Sequence, residues 1–263
     1  MKLSISNIAW QEEQDAAVYE LMKKYGFTGL EIAPTRIFSQ NPYEDLKKAK
    51  EWKEALYQKY GFTVPSMQSI WFGKTESIFG NEEDKKVLLD YTYKAIDFAR
   101  TTDCKNLVFG CPRNRNVPEG ANKEEAIPFF KELAKYALKN NTVIGMEANP
   151  PMYNTNFIND TMSAFALIDS VDSAGFKLNL DIGTMIANAE HADVIKDKVH
   201  LINHVHFSEP GLKRIEERKL HEEIIAHLQA GGYQGFVSVE MGKQDNLKDI
   251  ETVMSYMQGL MGK

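Results

Sequence analysis

The stretch Lys24-Tyr25-Gly26-Phe27-Thr28 returns unchanged 35 residues later as Lys59-Tyr60-Gly61-Phe62-Thr63. Each copy reads as a joint. A charged, helix-compatible run ends at a glycine, which takes up the left-handed backbone of a helix C-cap without steric cost, and an aromatic and a β-branched residue then open a strand. Gly175 and Gly232 read as the same device further along. Working outward, short apolar or alternating runs recur at 3–9, 29–33, 62–69, 106–111, 142–148, 176–182, 201–207 and 235–241. Each is followed by a stretch with helical apolar spacing and charges on its other face. Eight strand–helix pairs in 263 residues, with no Pro/Gly/Ser-rich linker between them, predict an α/β chain folded as a single (β/α)8 TIM barrel, one domain over 1–263. An open doubly wound sheet would place a glycine-rich phosphate loop after its first strand; Ala9-Trp10-Gln11-Glu12 stands there instead.

Composition narrows the function classes. The chain carries 37 acidic and 31 basic side chains, a formal charge of −6, and 43% hydrophobic residues, the balance of a globular protein. The acidic surplus, without a basic stripe, argues against nucleic acid as a partner. No run approaches the roughly 18 apolar residues of a membrane helix, and the opening ten residues are too short and polar for a signal peptide, so a cytoplasmic protein with no membrane partner is expected. Cys104 and Cys111 form neither a disulfide framework nor a C-x-x-C pair and read as buried small hydrophobes. Nothing in the sequence decides against a homo-oligomer.

In a parallel barrel the chemistry sits at the C-terminal ends of the strands. The last four strands all end in polar groups: Gly145-Met146-Glu147, Asn179-Leu180-Asp181, His204-Val205-His206 and Ser238-Val239-Glu240. Side chains alternate along a strand, so Ile144, Met146, Leu178, Leu180, Val237 and Val239 face the helices, while Glu147, Asn179, Asp181, Ser238 and Glu240 face the barrel axis. Successive strands thus deliver Glu147, Asp181, His206 and Glu240 to one rim. A lone carboxylate at a strand end is commonly a helix cap or an ion-pair partner. Three carboxylates in one mouth repel one another and call for protons or a cation, and with a histidine among them they suit one divalent metal ion: Mn²⁺, Mg²⁺, Co²⁺, Zn²⁺ or Fe²⁺. His204, two residues deeper, is expected to support the ligands from behind.

Other rim residues read as substrate contacts. Arg113 and Arg115 follow the fourth strand, where their guanidinium forks suit a phosphate or carboxylate, and Lys213 and Arg214 follow the seventh. Glu31 and Gln68 end the second and third strands with inward parity and could bond sugar hydroxyls. Trp10, Trp71 and Phe72 lie where an aromatic face could cover a sugar ring, with core packing as the alternative. His191, His200, His221 and His227 read as surface residues.

These pieces also carry a resemblance. Gly145-Met146-Glu147-Ala148-Asn149, Leu180-Asp181-Ile182-Gly183, His204-Val205-His206-Phe207-Ser208-Glu209-Pro210 and Ser238-Val239-Glu240-Met241 resemble the xylose isomerase-like TIM barrel superfamily, in particular its sugar phosphate isomerases and epimerases, over essentially the whole chain. The resemblance implies one divalent metal on Glu147, Asp181, His206 and Glu240. It also implies a small carbohydrate substrate, neutral or anionic, isomerised or epimerised through a cis-enediolate with Glu147 and Glu240 as acid and base. Ketose 3-epimerases of this group commonly carry a histidine where this chain has Thr184 and an acidic residue where it has Tyr153. That departure leaves open a lyase or dehydratase acting on an inosose or related cyclic polyol acid and a non-catalytic sugar-binding barrel; an apurinic endonuclease-type hydrolase shares the barrel, but its multinuclear zinc cluster needs more histidines than the two at strand ends here, and the acidic balance disfavours DNA.

Overall fold

In the computed structural model, which describes residues 1–262, seven of the eight apolar runs form strands: β1 (Lys2–Ser6), β2 (Phe27–Glu31), β3 (Leu107–Phe109), β4 (Ile144–Met146), β5 (Phe176–Asp181), β6 (Ile202–Phe207) and β7 (Phe236–Val239). All neighbouring pairs are parallel, in the order β2-β1-β7-β6-β5-β4-β3. The run at 62–69 is not a regular strand. It touches its neighbours through single bridges, Thr63 to Gly29 and Met67 to both Ile32 and Leu107. Pro65 lies in the middle of it, and a proline has no N–H to give to a ladder. The bonds on either side still form: Thr63 N–H donates to the Thr28 carbonyl (3.0 Å), and Met67 N–H to that of Asn106 (2.9 Å). This irregular segment therefore joins β2 to β3 and closes the ring of the TIM barrel.

Around the ring run α1 (Asp15–Lys24), the single turn α2 (Pro34–Ile37), α3 (Leu46–Tyr60), α4 (Glu82–Thr102), α5 (Ile127–Lys139), α6 (Thr161–Val171), α7 (Ile182–Ala187), α8 (Lys219–Ala230) and α9 (Leu247–Met261). Their boundaries follow local chemistry. The Asp45 carboxylate accepts from the Lys48 N–H to start α3, and Gly61, at φ 76°, ends it in the left-handed cap read from the repeat. Gly175 differs from that reading: the left-handed residue closing α6 is Asp172 (φ 48°). Gly175 is needed because a Cβ there would collide with the Ala134 carbonyl of α5. Among the described residues no helix is long and apolar enough to cross a membrane.

The alternation read from the strands divides the interior in two. Ile5, Leu30, Phe109, Met146, Leu180, Val205 and Val239 are buried against the helices. Inside the barrel lies a polar column that includes Ser4, Ser6, Asn106, Asn179, His204 and Ser238, all fully or almost fully buried. Asn106 crosses this column, donating to Ser66 Oγ (3.0 Å) and Asn179 Oδ1 (3.1 Å). A Cβ on Gly145 would occupy the place of its amide.

Candidate metal centre

Register brings the strand ends together. Asp181 of β5 stands opposite His206 of β6, and His206 opposite Ser238 of β7, two residues short of Glu240. The amides just beyond the strands continue the ladder, Glu147 N–H to the Phe109 carbonyl (3.1 Å) and Glu240 N–H to that of Phe207 (2.8 Å). As a result one potential ligand atom from each of Glu147, Asp181, His206 and Glu240 lies within 4.8 Å of the others. His206 Nδ1 is 2.9 Å from Glu147 Oε1 and 3.2 Å from Glu240 Oε2. Glu147, Asp181 and Glu240 line a cavity of about 200 Å³ at the barrel mouth, shared with Gln68, Val108, Cys111, Tyr153 and Leu212 among others.

Each carboxylate is held by named donors. Asn179 Nδ2 donates to Glu147 Oε1 (3.0 Å) and Asn149 Nδ2 to Glu147 Oε2 (3.2 Å). Asp181 is also the N-cap of α7: Oδ1 accepts the Thr184 N–H (2.6 Å) and Oδ2 the Ser208 hydroxyl (2.5 Å). The helix-cap alternative is thus realised at Asp181 without turning its carboxylate away from the cavity. Thr184, at the position where the resemblance to ketose 3-epimerases implies a histidine, is buried and donates its hydroxyl to the Ala148 carbonyl (2.8 Å), so it braces the β4 loop. Tyr153 lines the cavity, its phenol oxygen accepting the Gly211 N–H (2.8 Å).

The electrostatics reflect too much negative charge out of water. Burial, reinforced by Glu147, pushes the Asp181 carboxyl up to about 6 against the opposing pull of His206. Burial pushes Glu240 up to about 7, with Glu147 and Asp181 adding to it and His206 opposing. Burial alone would lower His206, but Glu240 and Glu31 outweigh it and hold the imidazole well above its ordinary range. Burial would raise Glu31, yet His206 and His204 keep its carboxyl far below the usual range. Two buried carboxylates, the half-buried carboxylate of Asp181 and an imidazole, two of the carboxyls pushed toward protonation, form a donor set that fits a divalent cation and would be relieved by one.

Several expected substrate contacts stand elsewhere. Arg115 is fully buried behind the site: Nη1 donates to the Glu147 carbonyl (2.9 Å) and Nη2 to Asn149 Oδ1 (2.9 Å), so its fork is spent on protein acceptors rather than on a substrate anion. Arg113 is exposed in an adjoining groove with Phe72, 69% exposed, and Lys74. Arg214 points away to Asp249 (3.4 Å). Trp10 is fully buried, its Nε1–H donating to Asp15 (2.7 Å), and Trp71 is buried with Nε1–H on Thr92 (2.8 Å); neither offers a face to a sugar. Glu31 lies beneath the cavity with its carboxylate against His204 and His206, each at 2.9 Å, so it cannot meet sugar hydroxyls. Gln68 does reach the cavity wall, and His204 lies under the ligands. His221, expected at the surface, is fully buried between α8 and α9, its Nδ1 3.0 Å from the Tyr256 hydroxyl. Cys104 is buried as expected, whereas Cys111 is half-buried on the cavity wall. The sequence reading assigned no part to Asn149, Ser208 or Glu209. Asn149 shares the parity of Glu147 and Ser208 that of His206, which is the signal that could have found them; Glu209 lines the cavity with the opposite parity, which no alternation along β6 predicts.

The chain belongs to the xylose isomerase-like TIM barrel family, whose model matches residues 19–260. No curated protein matches it in sequence. Among solved structures it is similar to a D-psicose 3-epimerase from Clostridium cellulolyticum H10 solved with D-tagatose, at 17% identity and TM-score 0.80, covering 100% of this chain and 97% of the other. It is similar to 3-keto-D-glucoside 4-epimerase from E. coli in its apo form, at 18% identity and TM-score 0.76, covering 100% of both chains. A third is the IolI protein with a bound zinc atom, at 15% identity and TM-score 0.73, covering 99% of this chain and 97% of that one. These likenesses establish the fold.

Proposed function

We propose that this chain, as one barrel domain, is a divalent-metal-dependent isomerase or epimerase that moves a carbon-bound proton of a neutral monosaccharide. The observation that carries the reading is the convergence of Glu147, Asp181, His206 and Glu240 in a cavity whose described lining contains no lysine or arginine. Those four side chains would hold the metal. When bound, it would polarise a substrate carbonyl and stabilise the negative charge that develops as the neighbouring C–H loses its proton.

The remaining steps belong to the protein. Glu147 and Glu240 take and return the proton, one removing it to give a cis-enediolate and the other delivering it to the opposite face. Asn179 and Asn149 fix the two oxygens of Glu147, and Ser208 and Thr184 those of Asp181. A positioned base supplies about 10²- to 10⁴-fold, so the electrostatic stabilisation of the enediolate must supply much of the rest. Four carboxylates line the cavity, that of Glu209 being paired with Arg218 at 2.7 Å, and they would repel a phosphate seated there. This favours a neutral sugar over an anionic one. Epimerases among the structural neighbours support the same reading.

The test is deuterium uptake from D₂O by mass spectrometry over a panel of ketoses and their phosphates with added Mn²⁺. The reading expects one deuteron on a carbon next to the carbonyl of a neutral ketose, with slower or no uptake by its phosphate. Uptake confined to phosphorylated sugars would overturn the neutral-substrate assignment. Loss of water in place of exchange would mark the lyase reading instead.

A further inference from the structure

We propose that Glu31 is a positioning residue for the metal centre: from the end of β2 it accepts the Nε2–H of His206 and so keeps Nδ1 as the ring nitrogen offered to the cation. The inference rests on the metal reading above and adds a residue that touches neither substrate nor metal.

The geometry runs in one line across the barrel. His206 is fully buried, with Nε2 2.9 Å from Glu31 Oε2 and Nδ1, on the other side of the ring, 2.9 Å from Glu147 Oε1. A carboxylate oxygen accepts and does not donate, so the nitrogen facing Glu31 carries a proton. Nδ1 faces the carboxylates of Glu147 and Glu240 and carries one as well in the ion-free chain; a cation held among Glu147, Asp181 and Glu240 would displace the Nδ1 proton, while the Nε2–H stays on Glu31. Loss of the Nε2 proton would set that nitrogen's lone pair against the buried Glu31 carboxylate and cost a buried acceptor its partner.

Glu31 is itself fixed. Gln68 Nε2 donates to Ser6 Oγ (2.5 Å) and reaches Glu31 Oε1 at 3.4 Å, while β1 and β2 pair Ser6 directly with Glu31. His204 Nε2 lies 2.9 Å from the same Oε2 but too obliquely for a hydrogen bond, so that oxygen is directed at His206. A fully buried carboxylate that pairs with no lysine or arginine among the described residues is costly unless a hydrogen-bonded partner compensates it, and His206 is that partner. Carboxylates that orient a ligating imidazole in this way typically contribute 10- to 100-fold to metal affinity.

The experiment uses the full chain labelled with ¹⁵N-histidine, zinc as the probe, and His206→Asn to assign the resonance. Two-bond ¹H–¹⁵N spectra of the zinc-loaded parent should show His206 protonated at Nε2 and metal-bound at Nδ1. Glu31→Met, which keeps the bulk and removes the acceptor, should lose that preference and weaken zinc binding 10- to 100-fold. Glu31→Gln, which keeps an acceptor oxygen, should retain the tautomer and lose less. Zinc on Nε2 in the parent overturns the proposal, as does unchanged spectrum and affinity in Glu31→Met. If Glu31→Met does not fold, the parent and Glu31→Gln decide. A parent that binds no zinc would refute the metal reading alone: in the zinc-free protein an Nε2–H held by Glu31 in the parent and released in Glu31→Met still supports the contact, and an Nε2–H signal unchanged between the two overturns it.

Discussion

At the scale of the residue, two arginines that look alike in sequence separate in the structure. Arg113 and Arg115 flank Asn114, yet one is exposed and the other is packed behind Glu147. Strand parity stops at the last ladder residue, and the 3-10 turn Pro112–Asn114 that follows redirects the chain, so the sequence gives no direction for either side chain. Arg115→Met strips the Glu147 carbonyl and Asn149 Oδ1 of buried donors and is expected to cost about 2–4 kcal/mol in urea denaturation, against less than about 0.5 kcal/mol for Arg113→Ala. Equal small effects would contradict the placement. The four ligand candidates were legible because they end regular strands or, as with Glu147 and Glu240, stand one residue beyond them where the ladder and its alternation continue. For Glu240→Gln, substrate binding by calorimetry should persist while deuterium uptake falls by at least about 100-fold; uptake at the parent's rate would remove Glu240 from the proton transfer.

At the scale of the element, the places where the structure departs from a simple eightfold repeat have local causes. The third run has strand-like composition, but Pro65 interrupts its donors, and only isolated bridges to β2 and β3 remain. Closure on the other side of β2 depends on close packing at Gly29, where a Cβ would stand 2.6 Å from the Phe236 ring and 2.7 Å from the Ser4 Cβ. Gly29→Ala should therefore lose about 1–3 kcal/mol, read as a lowered urea midpoint with an unchanged slope. On α8, His221 shares the i, i+3, i+4, i+7 face of Ile224, Ile225 and Leu228, so the period that predicts the helix also predicts its burial. Burial, with Arg218 adding and Glu209 opposing, lowers the imidazole from its ordinary 6.5 to about 4. A histidine lowered by folding stabilises the fold fully above pH 6.5, and that contribution is lost as pH falls through about 4. Up to about 3 kcal/mol should disappear over that window. His221→Gln should show a correspondingly flatter stability profile between pH 6.5 and 4, and an unchanged slope would place the titration elsewhere.

At the scale of the molecule, the barrel separates two chemistries that one alternating pattern encodes: apolar side chains outward to the helices, polar ones inward to a column ending in the acidic mouth. That pattern made the architecture legible, because eight repeats of strand and helix leave few other ways to bury both faces of a parallel sheet. It did not reveal the hydrogen bonds that unite Glu31, His206 and Asn179, since the strands that carry them are far apart in sequence. It also left the substrate's charge open, which depends on loop residues that no period governs. The central claim is that the strand ends form one cation site. Elemental mass spectrometry of the purified chain, exhaustively dialysed after loading with Mn²⁺ or Zn²⁺, tests it most directly. The account predicts about one ion per chain in the parent and near none in Asp181→Ala that retains its fold; equal metal content in the two proteins would contradict it.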